Sequence, residues 1–187
     1  METLELMIVE SLPLSGLKKI KRSSFSDHRG FFSRLFCEKT LKAAGFIKPV
    51  SQINHSLTLK QGSIRGLHAQ RPPHSEMKLV TCLSGKIWDV AVDIRKNSPT
   101  FLKWYATVLS EENQESLLIP EGFAHGFQSL SDNTCLIYCH SHDYEPSFEI
   151  RLHPQDPALN INWPLEVQDL SEKDQEAAFI EPQFQGM

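Results

Sequence analysis

Two histidines stand beside turn residues near the middle of the chain, about fifty residues apart. His68 lies in Arg65-Gly66-Leu67-His68-Ala69-Gln70, and His125 lies in Pro120-Glu121-Gly122-Phe123-Ala124-His125. In small β-rich proteins, two such segments commonly face each other across the mouth of a barrel, where a few converging polar groups hold a small ligand. An imidazole in such a place acts as an acid or base, or binds a metal. The two segments therefore predict a ligand site.

The elements that position these histidines are predicted to be short strands, because apolar alternation recurs between turn signals and helical periodicity is scarce. Leu79–Leu83 and Lys86–Ile94, joined by Ser84-Gly85, are predicted to form a hairpin. The further predicted strands are Phe31–Phe36, Ser51–Thr58, Ser63–His68, Trp104–Leu109, Ser116–Ile119, Gly126–Leu130 and Cys135–His140. The fold class is all-β, a sandwich or barrel with a few short helices.

Two short helices are predicted from their end signals. One covers Glu38–Ala44 and ends at Gly45, a residue suited to the left-handed position after a helix. The other begins at Ser171, where the Ser-x-x-Asp spacing to Asp174 resembles a capping box. Residues from Glu181 onward are predicted to be a loose tail.

Composition limits the class of protein. With 187 residues, 40% hydrophobic and 22% charged, the chain is predicted to be a single domain over residues 1–187 with its core at about residues 20–180. A net charge of -4 disfavours nucleic acid, and no apolar run approaches the roughly 20 residues of a membrane span. The acidic start at Met1–Leu6 lacks the features of a secretory signal, and the four cysteines show no disulfide spacing. We therefore expect a cytoplasmic protein with reduced thiols and neither membrane nor nucleic acid as partner.

The two histidine segments resemble the cupin signature. Pro120-x-Gly122-x-x-His125 matches its second half, and Gly62, His68, Glu76 and Gly85 loosely follow its first half. Metal-binding cupins carry a His-x-His pair where this chain has His68-Ala69-Gln70. Because a carboxamide replaces a strong imidazole ligand, no metal is expected, although His68, Glu76 and His125 remain an alternative ligand set.

A more specific resemblance follows from eight motifs in order between about residues 25 and 175. The motifs are Phe25–Phe32, Gln52–Ser56, Arg65–His68, Lys78–Val80, Asp89–Arg95, Ser98–Phe101, Ile119–Phe127 and Leu170–Asp174. Together they resemble the dTDP-4-dehydrorhamnose 3,5-epimerase family. The resemblance implies a cupin-type double-stranded β-helix (jelly roll), usually a homodimer, that needs no cofactor. It also implies epimerisation at C3, C5 or both of a nucleotide-linked 4-keto-6-deoxy sugar, leading from dTDP-4-dehydro-6-deoxyglucose to dTDP-4-dehydrorhamnose.

The resemblance assigns four catalytic residues. His68 is implied as the base that removes a proton α to the ketone, with Asp174 holding its far ring nitrogen. Lys78 is implied to neutralise charge near the keto oxygen, and Tyr138 to return a proton on the opposite face. A base and an acid on opposite faces of one carbon invert it.

The remaining residues belong to the substrate-binding set. These are Arg29, Arg65, Gln52, Asn54, Phe31, His125 and Lys173. The two arginines are implied at the diphosphate, since a guanidinium binds phosphate oxygens bidentately. The polar pair at 52 and 54 is implied to line the same cleft, the ring at 31 to lie against sugar or base, and the imidazole at 125 to support or contact the sugar.

Plainer interpretations exist for several of these residues. Asp174 is also a good helix-capping acid, Tyr138 a surface aromatic of a strand, Lys78 a solvated edge lysine, and Arg29 a turn residue. His125 is also compatible with a structural role.

Departures from the family pattern at Ala69, Leu102, Ile150 and the stretch 151–154 leave the substrate open. The alternatives are an epimerase of another nucleotide-linked 4-keto sugar or of one carbon only, a metal-dependent cupin enzyme, and a non-catalytic sugar-nucleotide-binding cupin.

Overall fold

The structure, a computed structural model, describes residues 6–187; residues 1–5, on which most of the expectation about a secretory signal rests, lie outside the described residues. The strands are β1 (Met7–Ser11), β2 (Lys18–Arg22), β3 (Ser24–Asp27), β4 (Gly30–Ser33), β5 (Gln52–Thr58), β6 (Ile64–Gln70), β7 (Lys78–Ser84), β8 (Lys86–Asp93), β9 (Trp104–Ser110), β10 (Glu115–Ile119), β11 (Phe123–Ser129), β12 (Thr134–His140) and β13 (Glu149–Arg151). The helices are α1 (Glu38–Ala44), a 3-10 turn at Pro146–Phe148, and α2 (Glu172–Gln175).

The strands form two facing antiparallel sheets. The six-stranded sheet has the order β1-β2-β10-β7-β12-β5, and the five-stranded sheet has the order β13-β6-β11-β8-β9. β3 and β4 pair only with each other, as a separate hairpin. From β5 to β13 the chain changes sheet at every connection except the one between β8 and β9, which is the winding of a jelly roll. The predicted all-β, cupin-type fold is confirmed.

The predicted hairpin at Ser84-Gly85 is wrong. β7 pairs with β10 and β12, whereas β8 pairs with β11 and β9, so the turn carries the chain from one sheet to the other. The reason is burial on both sides of the turn. Ile87 and Ala91 of β8 pack against Val80 and Cys82 of β7 across the space between the sheets. Two strands with apolar inner faces bury more surface by facing each other than by pairing edge to edge.

The outer face of the five-stranded sheet is also buried, and the end of the chain covers it. Val90, Val92 and Ile94 pack there against residues of the C-terminal segment. The predicted loose tail is wrong, because the ring of Phe184 stacks on Phe101 at 6.0 Å and the amide of Met187 donates to the carbonyl of Ile94 at 2.8 Å. This second apolar layer explains why β8 carries almost no exposed residue.

Both predicted helices are confirmed at their ends. α1 ends at Gly45, which has a φ of 114° and donates to the carbonyl of Lys42. Ser171 is the N-cap of α2, and its hydroxyl accepts from the amide of Asp174 at 3.2 Å. Among residues 6–187, no helix is long and apolar enough to span a membrane.

Candidate active site

A cavity of about 710 Å³ opens between the two sheets, and β6 and β12 contribute to its opposite walls. The five-stranded sheet contributes Arg65, His68 and His125 to its lining, and the six-stranded sheet contributes Asn54, Lys78 and Tyr138. Ser171 and Asp174 close one side. The structure thus brings seven of the predicted site residues into one cavity: His68, Lys78, Tyr138, Asp174, Arg65, Asn54 and His125.

His68 and His125 are direct neighbours across the antiparallel ladder of β6 and β11. On the other side of β6, Arg151 of β13 lies directly opposite His68. Directly opposite residues in a sheet project to the same face, so these three side chains form one row across three strands. The register of the sheet, rather than local sequence, creates this row.

His68 and Asp174 form a closely bonded pair. The imidazole Nε2 lies 2.6 Å from Asp174 Oδ1, and Asp174 Oδ2 accepts from the amide of Gly66 at 3.4 Å. Burial acts to raise the pKa of Asp174, but the hydrogen bond and charge of His68 outweigh it, and the pKa is lowered. A carboxylate only accepts hydrogen bonds, so Nε2 carries the proton and Nδ1 is left unprotonated in the neutral ring. A base is thereby held at the cavity wall.

Asp174 fulfils both interpretations that its sequence allowed. Its amide is capped by Ser171, as expected for the third position of a helix, while its side chain turns inward and is 4% exposed. The carboxylate does not complete a capping box, because it is engaged by His68 and Gly66 instead. One residue therefore belongs to the capped first turn of its helix and orients the imidazole.

His125 has its own carboxylate partner, which sequence reasoning did not assign. Asp89 Oδ1 lies 2.7 Å from His125 Nε2, and both side chains are almost fully buried. Asp89 Oδ2 has no hydrogen-bond partner among the described residues. The sequence did carry a signal, because an aspartate on the inner face of an apolar strand is costly to bury without a partner. The pair repeats the imidazole–carboxylate arrangement of His68 one strand away.

Lys78 is held in the cavity by a buried carboxylate. Its ammonium lies 3.2 Å from Glu76 Oε1 and donates to the backbone carbonyl of His68 at 3.2 Å, with 8% of the side chain exposed. His140 Nδ1 lies 2.7 Å from Glu76 Oε2. From the sequence, Glu76 was assigned only to the alternative metal set, and His140 was not assigned to the site. Their arrangement excludes the interpretation of Lys78 as a solvated edge lysine.

Tyr138 approaches the cavity from the sheet opposite His68. Its hydroxyl lies 3.0 Å from Ser56 Oγ on the neighbouring strand. Burial raises the pKa of Tyr138, and the hydrogen bond with Ser56 only partly opposes this. The phenol is therefore protonated at neutral pH and able to donate a proton.

Arg65 lies at the cavity mouth. Its guanidinium donates to Thr58 Oγ1 at 3.0 Å and to the carbonyl of Leu57 at 3.1 Å. Asn54 also lines the cavity, and its carboxamide accepts from Gln52 at 2.9 Å. Gln52 itself is outside the lining, and its Oε1 accepts from the amide of Tyr144.

Besides Gln52, three predicted binding residues are not brought to this cavity within one chain. Arg29 and Phe31 lie on the separate β3–β4 hairpin, where Arg29 pairs with Asp27 at 2.6 Å and Phe31 is 66% exposed. Phe31 lines a different cavity of about 630 Å³. Lys173 is exposed on the outer side of α2, since the one-residue step from Asp174 turns it away from the site.

The alternative metal set is committed to other contacts. His68 is bonded to Asp174, His125 to Asp89, and Glu76 to Lys78 and His140. Among residues 6–187, no group of three or more His, Cys, Asp and Glu side chains is arranged to hold a metal ion.

The departures from the family pattern fall mainly outside the cavity. Ala69, Leu102 and Ile150 belong to the apolar layer on the outer face of the five-stranded sheet. Their side chains are therefore on the opposite side of the sheet from His68. Arg151 is different, because its guanidinium touches the His68–Asp174 pair.

Comparison with known proteins finds relatives in sequence and in structure. The sequence profile described as dTDP-4-dehydrorhamnose 3,5-epimerase matches residues 11–181. An enzyme of that description from Sinorhizobium fredii is 41% identical over 172 residues, covering 91% of this chain and 88% of the relative. A Legionella pneumophila dTDP-6-deoxy-D-glucose-3,5-epimerase, solved with dTDP-4-keto-L-rhamnose, superposes with a TM-score of 0.88 at 40% identity, covering 92% of each chain. The Bacillus anthracis dTDP-4-dehydrorhamnose 3,5-epimerase, solved with TDP and pyrophosphate, gives 0.90 at 36% identity, covering 93% of this chain and 99% of the other.

Proposed function

The chain belongs to the dTDP-4-dehydrorhamnose 3,5-epimerase family, and from that membership we propose that it converts dTDP-4-dehydro-6-deoxyglucose to dTDP-4-dehydrorhamnose by epimerisation at C3 and C5, without a cofactor. The protein is an isomerase of nucleotide sugars. The observation that carries the proposal is a carboxylate-oriented imidazole and a protonated phenol on opposite walls of one cavity. Proton removal and return on opposite faces of a carbon require such an arrangement.

In the proposed first step, His68 Nδ1 removes the proton α to the ketone. The C–H electron pair moves into the C–C bond, and the carbonyl oxygen becomes an enolate oxygen. Asp174 stabilises the imidazolium that forms, because its carboxylate stays bonded to Nε2–H. The ammonium of Lys78 faces the cavity and offsets the negative charge that develops on the oxygen.

In the second step, the hydroxyl of Tyr138 donates its proton to the opposite face of the same carbon, and the enolate returns to a ketone. The phenolate takes a proton from solvent, and the imidazolium of His68 releases one to solvent. Each inversion therefore exchanges a substrate hydrogen for a solvent hydrogen. Two such exchanges, at C3 and C5, give the 3,5-epimer.

Substrate binding is proposed to use the polar residues of the cavity. Arg65 lies at the mouth, where a planar guanidinium suits a diphosphate. Asn54 and His125 are proposed to contact or support the sugar, and Gln52 to act through Asn54, whose carboxamide it bonds. Lys173 is assigned only the role of an exposed cation on the outer side of α2.

A homodimer is also proposed, and it accounts for Arg29 and Phe31. The β3–β4 hairpin is exposed along nearly its whole length and carries three exposed phenylalanines. Ile53 and Leu57 of β5 expose 60% and 46% of their surface. Such apolar exposure is typical of an interface. We propose that each hairpin reaches the partner's cavity, so that Arg29 serves the partner's diphosphate site. Analytical ultracentrifugation is expected to give a dimer, and a monomer that is fully active contradicts this part.

Two further predictions from the sequence, on the cellular location and on the number of domains, are also made as proposals. The protein is proposed to be cytoplasmic, supported by four free cysteines among the described residues. Cell fractionation tests this, and recovery from the periplasm or medium contradicts it. The chain is also proposed to fold as one domain, for which calorimetry is expected to show a single unfolding transition.

The decisive experiment incubates the protein with dTDP-4-dehydro-6-deoxyglucose in D₂O and follows C3 and C5 by NMR. Deuterium is expected at both carbons. His68→Ala is expected to slow exchange at both by about 10²–10⁴-fold. Tyr138→Phe is expected to retain proton removal but to impair return on the opposite face. The matched controls His153→Ala and Tyr105→Phe change residues outside the cavity lining and are expected to leave exchange within about 2-fold.

The outcomes separate the alternatives. Label at one carbon only identifies a single-carbon epimerase, and label with another nucleotide sugar alone identifies a different substrate. Binding without any exchange identifies a non-catalytic sugar-nucleotide-binding protein. Stoichiometric iron, manganese or zinc whose removal abolishes activity identifies a metal-dependent cupin enzyme. Each of these results contradicts cofactor-free epimerisation of this substrate at both carbons.

A further inference from the structure

One charged side chain touches both members of the His68–Asp174 pair, and the proposed proton transfers give it no task. Arg151 Nη1 lies 3.1 Å from Asp174 Oδ1 and 3.1 Å from His68 Nε2. We propose that Arg151 is a positioning residue for the base: it holds the Asp174 carboxylate so that His68 keeps its proton on Nε2 and presents Nδ1 to the substrate. This inference rests on the proposed function for its catalytic meaning.

The backbone places Arg151 for this task. β13 is only three residues long and pairs with β6, so that Arg151 lies directly opposite His68 and Glu149 lies opposite Gln70. Arg151 is 24% exposed and is outside the cavity lining. Because β13 is the edge strand of the sheet, Arg151 reaches the pair from the side, on the same face as His68 but outside the cavity lining.

A second carboxylate anchors the guanidinium. Arg151 Nη2 donates to Glu149 Oε2 at 2.5 Å, and the hydroxyl of Tyr144 donates to the same oxygen at 3.2 Å. Nη1 and Nη2 thus bind two different carboxylates, Asp174 and Glu149. Because the guanidinium is a rigid planar fork, it fixes the positions of the two carboxylates relative to each other, which a single ammonium does not do.

The tautomer follows from what each atom is able to donate. The lowered pKa of Asp174 leaves a carboxylate that only accepts, and Arg151 only donates. Oδ1 therefore receives one hydrogen from His68 Nε2 at 2.6 Å and one from Arg151 Nη1 at 3.1 Å. Nη1 also lies 3.1 Å from Nε2, but a protonated Nε2 does not accept, so the shorter bond of Nε2 to Oδ1 decides the tautomer. Without Arg151, the carboxylate keeps the 3.4 Å contact from the amide of Gly66, the hydrogen bond with Ser171 and the bond to His68, but it loses the guanidinium contact on Oδ1. Rotation of the carboxylate then releases the imidazole, and Nδ1 loses its fixed direction.

The test compares wild type with Arg151→Gln, Arg151→Lys and the control Arg71→Gln. Arg71 bonds the carbonyl of Ser147 in the same region but does not touch the pair. In Arg151→Gln, kcat for solvent-deuterium incorporation is expected to fall about 10–100-fold, the usual effect of losing an orienting partner, with KM changed less than about 3-fold. Arg151→Lys is expected to recover part of kcat, and the control is expected to stay within about 2-fold of wild type.

A spectroscopic measurement separates positioning from a purely structural role. Nitrogen-15 NMR of labelled histidine reports which ring nitrogen of His68 carries the proton. Wild type and Arg71→Gln are expected to show the Nε2–H form, and Arg151→Gln a mixture of forms. Arg151→Met, which keeps an apolar stem but no donor, is expected to behave alike and replaces Arg151→Gln where that variant does not fold.

The inference is overturned when a folded Arg151→Gln or Arg151→Met protein keeps both wild-type kcat and the Nε2–H form. A rise in KM at constant kcat also overturns it, because it assigns Arg151 to substrate binding. Failure of the proposed function is a distinct result: wild type then gives no exchange, while the substrate-free NMR comparison still reports whether Arg151 orients His68.

Discussion

Replacement of Glu76 by glutamine is expected to destabilise the protein by about 3 kcal/mol at pH 7, and by less at lower pH. Glu76 is 9% exposed and is the carboxylate between Lys78 and His140. Its removal leaves a buried ammonium that still donates to the carbonyl of His68 but has lost its counter-charge. Loss of one partner of a buried ion pair is costly, because the other charge stays buried without compensation.

The magnitude follows from the pKa of Glu76. Burial acts to raise it, but the charge of Lys78 and the hydrogen bond from His140 outweigh burial and lower the pKa from 4.5 to about 2. Because the folded-state pKa is the lower one, the stabilisation is fully present above pH 4.5 and is lost as the pH falls towards 2. At about 1.4 kcal/mol per pH unit, this contribution is about 3 kcal/mol at pH 7 and about 2 kcal/mol at pH 3.5.

Urea unfolding of wild type and Glu76→Gln, at several pH values and one protein concentration, measures this difference. The gap in unfolding free energy is expected to narrow by about 1 kcal/mol between pH 7 and pH 3.5. Glu112→Gln, at an exposed glutamate, is the control and is expected to change stability by less than about 0.5 kcal/mol. A gap that is constant with pH, or absent at pH 7, refutes the reasoning.

Three further predictions concern the backbone, the thiols and the chain end. Gly66→Ala is expected to lower the free energy of unfolding in urea by about 3 kcal/mol or more, because the new Cβ would lie 2.5 Å from the backbone of Gly126 on the neighbouring strand β11. The control is Gly30→Ala, where φ is similarly positive but no atom lies within 4 Å, and equal losses for the two variants would contradict the clash. A thiol reagent at pH 8 is expected to label Cys37 first, since the hydrogen bond from Thr40 lowers the pKa of that thiol. Cys82 is expected to react only on unfolding, since burial raises its pKa to about 12, and early labelling of Cys82 in mass spectrometry contradicts this. Deletion of Gln183–Met187 is expected to lower Tm by about 5–10 °C in calorimetry through lost apolar burial, and an unchanged Tm would restore the idea of a loose tail.

Much of the local structure was predictable, because it depends on neighbours in the chain. The end of α1 at Gly45 follows from the left-handed φ that glycine tolerates. Ser171 caps α2 three residues before Asp174, as the spacing predicted. The strands follow apolar alternation and turn residues, and most were identified within a few residues of their ends. The hairpin at Gly85 failed because the same alternation fits a strand that pairs with its neighbour and one that faces it from another sheet.

The sequence by itself determined which residue types were available for chemistry, their family resemblance and the elements that carry them. The tertiary structure alone decided which of them meet. His68 and Asp174 are 106 residues apart and touch because α2 lies against β6. Arg151 joins them, and Asp89 joins His125, through the register of the five-stranded sheet. Arg29 and Phe31 have suitable side chains but lie on a hairpin that neither sheet includes. Local propensity acts over a few residues, whereas contacts between distant residues depend on long-range strand pairing. That pairing and its register are set by which apolar faces the whole fold buries.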